Sequence, residues 1–160
     1  MEKNKKRTFA IILGMHVLLG FIHLLLFNLG HPLTKYTKDL PLFFQVLAVS
    51  VFAIIVYMIA SYIMMVGLNR DLNKIQYLDQ SLIVISLILF VVFLITYAFF
   101  VFNEKQSVWL VYSLFNPLFG TAMFNQVKES MWSILWGFSA FAPGIGIIFG
   151  TYLSQIKGGK

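Results

Sequence analysis

Three side chains, His16, His23 and Asn116, are the polar groups of this sequence that fall inside long apolar runs and could do chemistry there. His16 and His23 stand in an uncharged stretch from Thr8 to Leu29. Seven residues are about 700° of helical turn, so the two imidazoles share a face. They are also roughly 10.5 Å apart along the axis. One metal ion cannot bind both, because ligand bonds are near 2 Å. A haem held between them is excluded as well, since both rings project from one side of one helix. The expectation is two neutral rings hydrogen-bonded within a bundle, to side chains such as Gln45, Tyr57, Ser81 or Thr96; a ligand or relay role is the functional alternative. His31 is expected at a water interface.

Asn116 opens the pattern Asn116-Pro117-x-x-Gly120. A helix broken there exposes backbone carbonyls and a helix N-terminus, the construction of many midplane binding sites. The same residues also make an ordinary kink or turn. Pro143-Gly144 carries the same two readings. No catalytic residue, metal or cofactor is predicted. No Asp, Glu, Lys or Arg lies within the proposed spans, whereas proton relays and voltage sensors place such groups there at a cost. Glu104 and Glu129 each adjoin a lysine and read as solvated loop pairs. Without Cys there is no disulfide, thiolate site or cysteine nucleophile. Zinc-protease, hydrolase, P-loop and dinucleotide motifs are missing.

The elements that position these residues follow from composition. Of 160 residues, 59% are hydrophobic and 11% charged, against about 25% charged in a soluble domain. A chain this short cannot hide so much apolar surface from water. The fold class is therefore all-α, a polytopic transmembrane bundle forming a single domain over 1–160, with a basic N-terminal tail 1–7. Spans are expected at about 8–29, 42–68, 81–102 and 131–156, each long enough for a hydrocarbon core of about 30 Å. The first run is too long for a signal peptide and lacks a small-residue cleavage pattern. The third holds 17 Leu, Ile, Val or Phe in 22 residues, a length that decides for helix over strand. Residues 69–79 are expected to stay partly helical, with Asp79 capping the third helix. Residues 107–124 are ambiguous: a kinked fifth span, a re-entrant hairpin or an interfacial helix. Trp109, Trp132 and Trp136 fit interfacial anchoring.

The net charge of +6 does not point to nucleic acid, because Lys3, Lys5, Lys6 and Arg7 cluster just before an apolar run, where cations set membrane orientation. Small residues mark close packing in the last helix. Ser133, Gly137, Ala140 and Gly144 are spaced for one face; Ser139, Ala142, Gly146 and Gly150 for another. Two such faces exceed what one neighbour needs. They suggest bundle packing or, alternatively, self-association or a larger membrane protein held by the last helix. The function expected is accessory, regulatory or immunity-type, through contacts with lipid or another membrane protein. The alternative is a small oligomeric transporter or channel with its path near Asn116–Gly120.

Orientation follows from the cations. With the N-terminus in the cytoplasm of a bacterial-type membrane and 107–124 not spanning, eight cations lie inside and four outside; a fifth span changes this to seven and five. The positive-inside rule prefers the former, although hydropathy alone leans to the latter. Reporter fusions after Asn69 and Lys160 are expected to read cytoplasmic, and one after Tyr36 external. An external reading at Lys160 would require a fifth span.

Overall fold

An uncharged apolar run longer than about 20 residues satisfies its own backbone as a helix, the one economical solution where no water can hydrogen-bond to it. The computed structural model describes residues 2–67, 78–103, 105–127 and 131–158, and every regular element among them is helical. In chain order these are α1 (Glu2–Phe27), the short α2 (Thr34–Thr37), α3 (Leu42–Gly67), α4 (Leu78–Asn103), a 3₁₀ turn (Gln106–Val108), α5 (Trp109–Phe115), α6 (Pro117–Gln126), a 3₁₀ helix (Met131–Ala140) and α7 (Ala142–Gly158). Four segments are long and apolar enough to cross a membrane: Lys5–Phe27, Leu42–Val66, Leu78–Asn103 and Trp132–Ile156. Residues 107–124 are not among them. Asp79 lies in the first turn of α4 rather than ahead of it. Residues 69–77, with their expected partial helix, lie outside the described residues, as do Glu104 and Glu129.

The last span is the centre of the bundle. Of its most apolar window 61% is buried, against 28%, 28% and 33% for the other three. It runs parallel to α3 and antiparallel to α4, and glycines set both contacts. A Cβ on Gly146 would lie 2.6 Å from the Ile54 carbonyl oxygen and from Tyr57 Cβ. One on Gly150 would strike Ser61 Oγ and the Met58 carbonyl. Towards α4, a Cβ on Gly137 would sit 3.1 Å from the Phe93 ring, and one on Gly144 would sit 3.3 Å from Ser86 Oγ. The two small faces thus meet two neighbours inside the chain. Their excess over one neighbour's need is accounted for without a second molecule.

One expectation for this span needs correcting. Residues 131–140 are wound as a 3₁₀ helix, not an α-helix, so the four-three-four spacing of Ser133, Gly137, Ala140 and Gly144 does not define one α-helical face. Burial follows a period of three instead: Ser133, Trp136, Ser139 and Ala142 are all buried, as side chains that eclipse at i and i+3 require. Two tryptophans also depart from the anchoring role. Trp109 and Trp136 are fully buried, whereas Trp132 is exposed. Trp109 packs among Phe93, Phe100 and Tyr112, where its ring area outweighs its single N–H.

Substituting Gly150 by Ala is expected to cost about 1–3 kcal/mol, because the added methyl meets backbone that has nowhere to move. Gly14 has no atom within 4 Å of a Cβ, so Gly14→Ala is the control. Thermal unfolding in detergent is expected to show a lowered Tm for the first and an unchanged or raised Tm for the second.

Candidate functional site: the tip of a re-entrant hairpin

Asn116 interrupts the helix at φ −140° and ψ 73°. The chain then reverses, so that α5 and α6 pack against each other as two half-helices. Their crossing is so close that a Cβ on Gly120 would run into the Ser113 backbone. The hairpin enters from the end of the bundle that carries residues 28–41. At its mouth Gln106 Nε2 donates to the Val127 carbonyl, and Gln126 Nε2 donates to Thr37 Oγ1 at 2.9 Å. Segment α6 then lies parallel to the second half of α1. Asn125 Nδ2 donates to Leu29 O at 2.9 Å, Thr121 faces His23, Pro117 faces Gly20 and Phe115 faces His16. His16 is 11 residues before Phe27, roughly 16 Å deep. That is about half of a hydrocarbon core of about 30 Å. Of the three forms considered for residues 107–124, the structure takes the re-entrant hairpin.

A reversal at that depth leaves carbonyls without their helical partners. The Phe119 and Gly120 N–H groups both donate to Asn116 O, at 3.1 and 2.8 Å, which strands the Phe115 carbonyl one residue earlier. His16 Nε2 lies 2.7 Å from it. A carbonyl only accepts, so Nε2 carries the proton. The neutral ring then accepts at Nδ1, from the Tyr57 hydroxyl at 2.6 Å. The His16 and Tyr57 rings stack 5.7 Å apart.

The second break meets the first. Pro143 has no N–H to give to the Ser139 carbonyl four residues earlier, and Asn116 Nδ2 donates to that carbonyl at 3.2 Å. The same Nδ2 lies 3.1 Å from Tyr112 Oη, which in turn pairs with Ser139 Oγ at 2.8 Å. Asn116 Oδ1 is fully buried and has no partner among the described residues. Among the described residues it is the one side-chain acceptor at the tip left open.

His23 and His31 continue the polar column towards the mouth. Thr121 Oγ1 donates to Pro117 O at 2.8 Å, and His23 Nε2 is hydrogen-bonded to Thr121 Oγ1 at 3.1 Å. His31 is not at the water interface but buried between His23 and Phe52. Burial first, and the neighbouring His23 second, push its pKa down to about 4, so the ring is neutral at physiological pH. Its Nδ1 accepts the Leu33 N–H at 3.2 Å.

Sequence reasoning placed His16 beside Tyr57 among its candidates and put both histidines on one face. It missed Thr121, Phe115 O, Tyr112 and Ser139, whose roles exist only once the chain reverses. Among the described residues no group of three or more His, Asp or Glu is placed to hold a metal ion. No family model matches the chain, and no curated protein or solved structure matches it either.

Proposed function

We propose that the protein binds a small neutral solute at the tip of its re-entrant hairpin and lets it pass between the two sides of a membrane. The observation that carries this reading is the open acceptor of Asn116 at mid-depth, on a side chain whose amide nitrogen is held by the Ser139 carbonyl and Tyr112 Oη. Interrupted backbone inside a bilayer is costly unless buried in protein or lining a cavity. A protein that only packs against partners has no need of it. An open acceptor favours a ligand bearing N–H or O–H. No carboxylate or cation is described at the tip, which favours a neutral one.

The tip is enclosed, so passage requires an element to move. The 3₁₀ helix is the candidate. Ten residues in this form are well beyond the usual three or four. Rewinding them as α-helix shortens the segment from about 20 to about 15 Å and draws Ser139 away from Asn116. We place the protein in a bacterial-type cytoplasmic membrane with the N-terminus inside, an orientation that the cation asymmetry supports. The competing reading, an accessory role exerted on lipid or on a larger membrane protein, drew on the small faces of the last helix. With those filled by α3 and α4, it would have to use another surface. Neither reading assigns the protein a catalytic step.

Vesicles containing the full chain are the test. Light scattering would follow water, urea and glycerol, and an internal pH dye would follow ammonia. At least one of the four is expected to cross several-fold faster than in protein-free vesicles. Asn116→Leu is expected to abolish the difference and also to lower the Tm, because it takes the donor from the buried Ser139 carbonyl. Wild-type vesicles no faster than empty ones for all four would end the proposal.

A further inference from the structure

The parallel helices α3 and α7 touch closely at Gly146 and Gly150 and then diverge towards the end of the bundle that bears residues 28–41. The divergence leaves a crevice of about 300 Å³ between the first half of α3 and the 3₁₀ helix with the start of α7. Phe43, Leu47, Ile54, Phe138, Phe141 and Ile145 line it, and Ser50 is its one polar side chain. The volume is at the lower end of the range of about 300–1,000 Å³ usual for small-molecule sites. Its cause is the change of winding. The 3₁₀ segment is slimmer than an α-helix, and Phe138 within it and Phe141 just after it are exposed.

We infer that this crevice is a binding site for one acyl chain of a phospholipid in the leaflet on the side of residues 28–41. Three features select that occupant. The rim residues Phe43, Leu47, Phe138, Phe141 and Ile145 are all exposed, so the crevice is continuous with the lipid-facing surface and opens sideways into hydrocarbon. The lining offers a single hydroxyl, that of Ser50, too few to hold a water, which needs two to four polar partners. The length also fits. From Phe43 to Ile54 is 11 residues, roughly 16 Å, close to the thickness of one leaflet's hydrocarbon, about half of 30 Å. An acyl chain lies along the bilayer normal, which is the direction in which α3 and α7 separate. The crevice encloses a chain from two sides, α3 on one and the 3₁₀ helix with the start of α7 on the other.

The chain should therefore retain phospholipid through purification at about one molecule per protein. Native mass spectrometry of full-length protein extracted from vesicles of phosphatidylethanolamine and phosphatidylglycerol would show it. Ser50→Phe fills the crevice from its floor, and Leu47→Trp obstructs it from its rim. Either is expected to remove most of the retained phospholipid, and at least one should do so without loss of secondary structure or a change in Tm. Retention of phospholipid by folded Ser50→Phe and folded Leu47→Trp alike would overturn the inference. So would a wild-type protein that carries no phospholipid, carries free fatty acid instead, or pairs with a second copy of itself through this face. Phospholipid retention is read without any solute flux, so its failure and the failure of solute passage are told apart.

Discussion

Main chain that stops being helical inside a membrane must find its hydrogen bonds in protein, and this structure is arranged around two such stops. The stranded Phe115 carbonyl takes its bond from His16, and the Ser139 carbonyl, which Pro143 cannot serve, takes its bond from Asn116. An unsatisfied group of this kind costs several kcal/mol in hydrocarbon, a large part of the stability of a domain this size. Histidine in the middle of a span is therefore not an anomaly here. The ring has two nitrogens on opposite sides, so it can serve a carbonyl on α5 and a hydroxyl on α3 at once. Asn116 plays the same part between the hairpin and the last span, and that joins the two breaks into one polar joint at mid-depth.

Such a joint works only if the backbones come close enough for short side chains to reach. Small residues supply that approach at each crossing. Gly120 lets α6 fold against Ser113, Gly20 seats Pro117 on α1, and Gly146 with Gly150 presses α7 against α3. Further along the same pair, on the far side of the change of winding after Ala140, lies the crevice. The 3₁₀ segment belongs to both features, since it ends at the carbonyl that Asn116 holds and forms one wall of the crevice.

Much of this could be read from residue types alone, and what could not has a physical reason. The spans were legible because length and lack of charge suffice to specify a membrane helix. The shared face of His16 and His23 followed from helical period, and the small residues of the last span were legible as spacing. Their assignment to two internal neighbours could not be read, because spacing defines faces and not what lies opposite. The 3₁₀ winding of residues 131–140 was invisible since its composition suits an α-helix equally well. Trp109 and Trp136 were misread as anchors because a tryptophan near a span's end has two satisfactory homes, an interface and an aromatic core. His31 was misread for a similar reason: its position in a loop says nothing of whether the loop tucks inward. The hairpin was one of three options, and it is singled out by contacts across the reversal, such as those of Gly120 with Ser113 and of Gln106 with Val127.

The bond between His16 and the Phe115 carbonyl is the most direct point at which to test this account. Nitrogen-15 NMR of histidine-labelled protein in bilayers distinguishes the two neutral tautomers and the protonated ring. His16, assigned through a His16→Gln variant, is predicted to be neutral with its proton on Nε2, hydrogen-bonded and protected from exchange with water. A proton on Nδ1, or a ring that is charged or exchanges freely at neutral pH, would mean that the hairpin tip does not draw its hydrogen bond from His16.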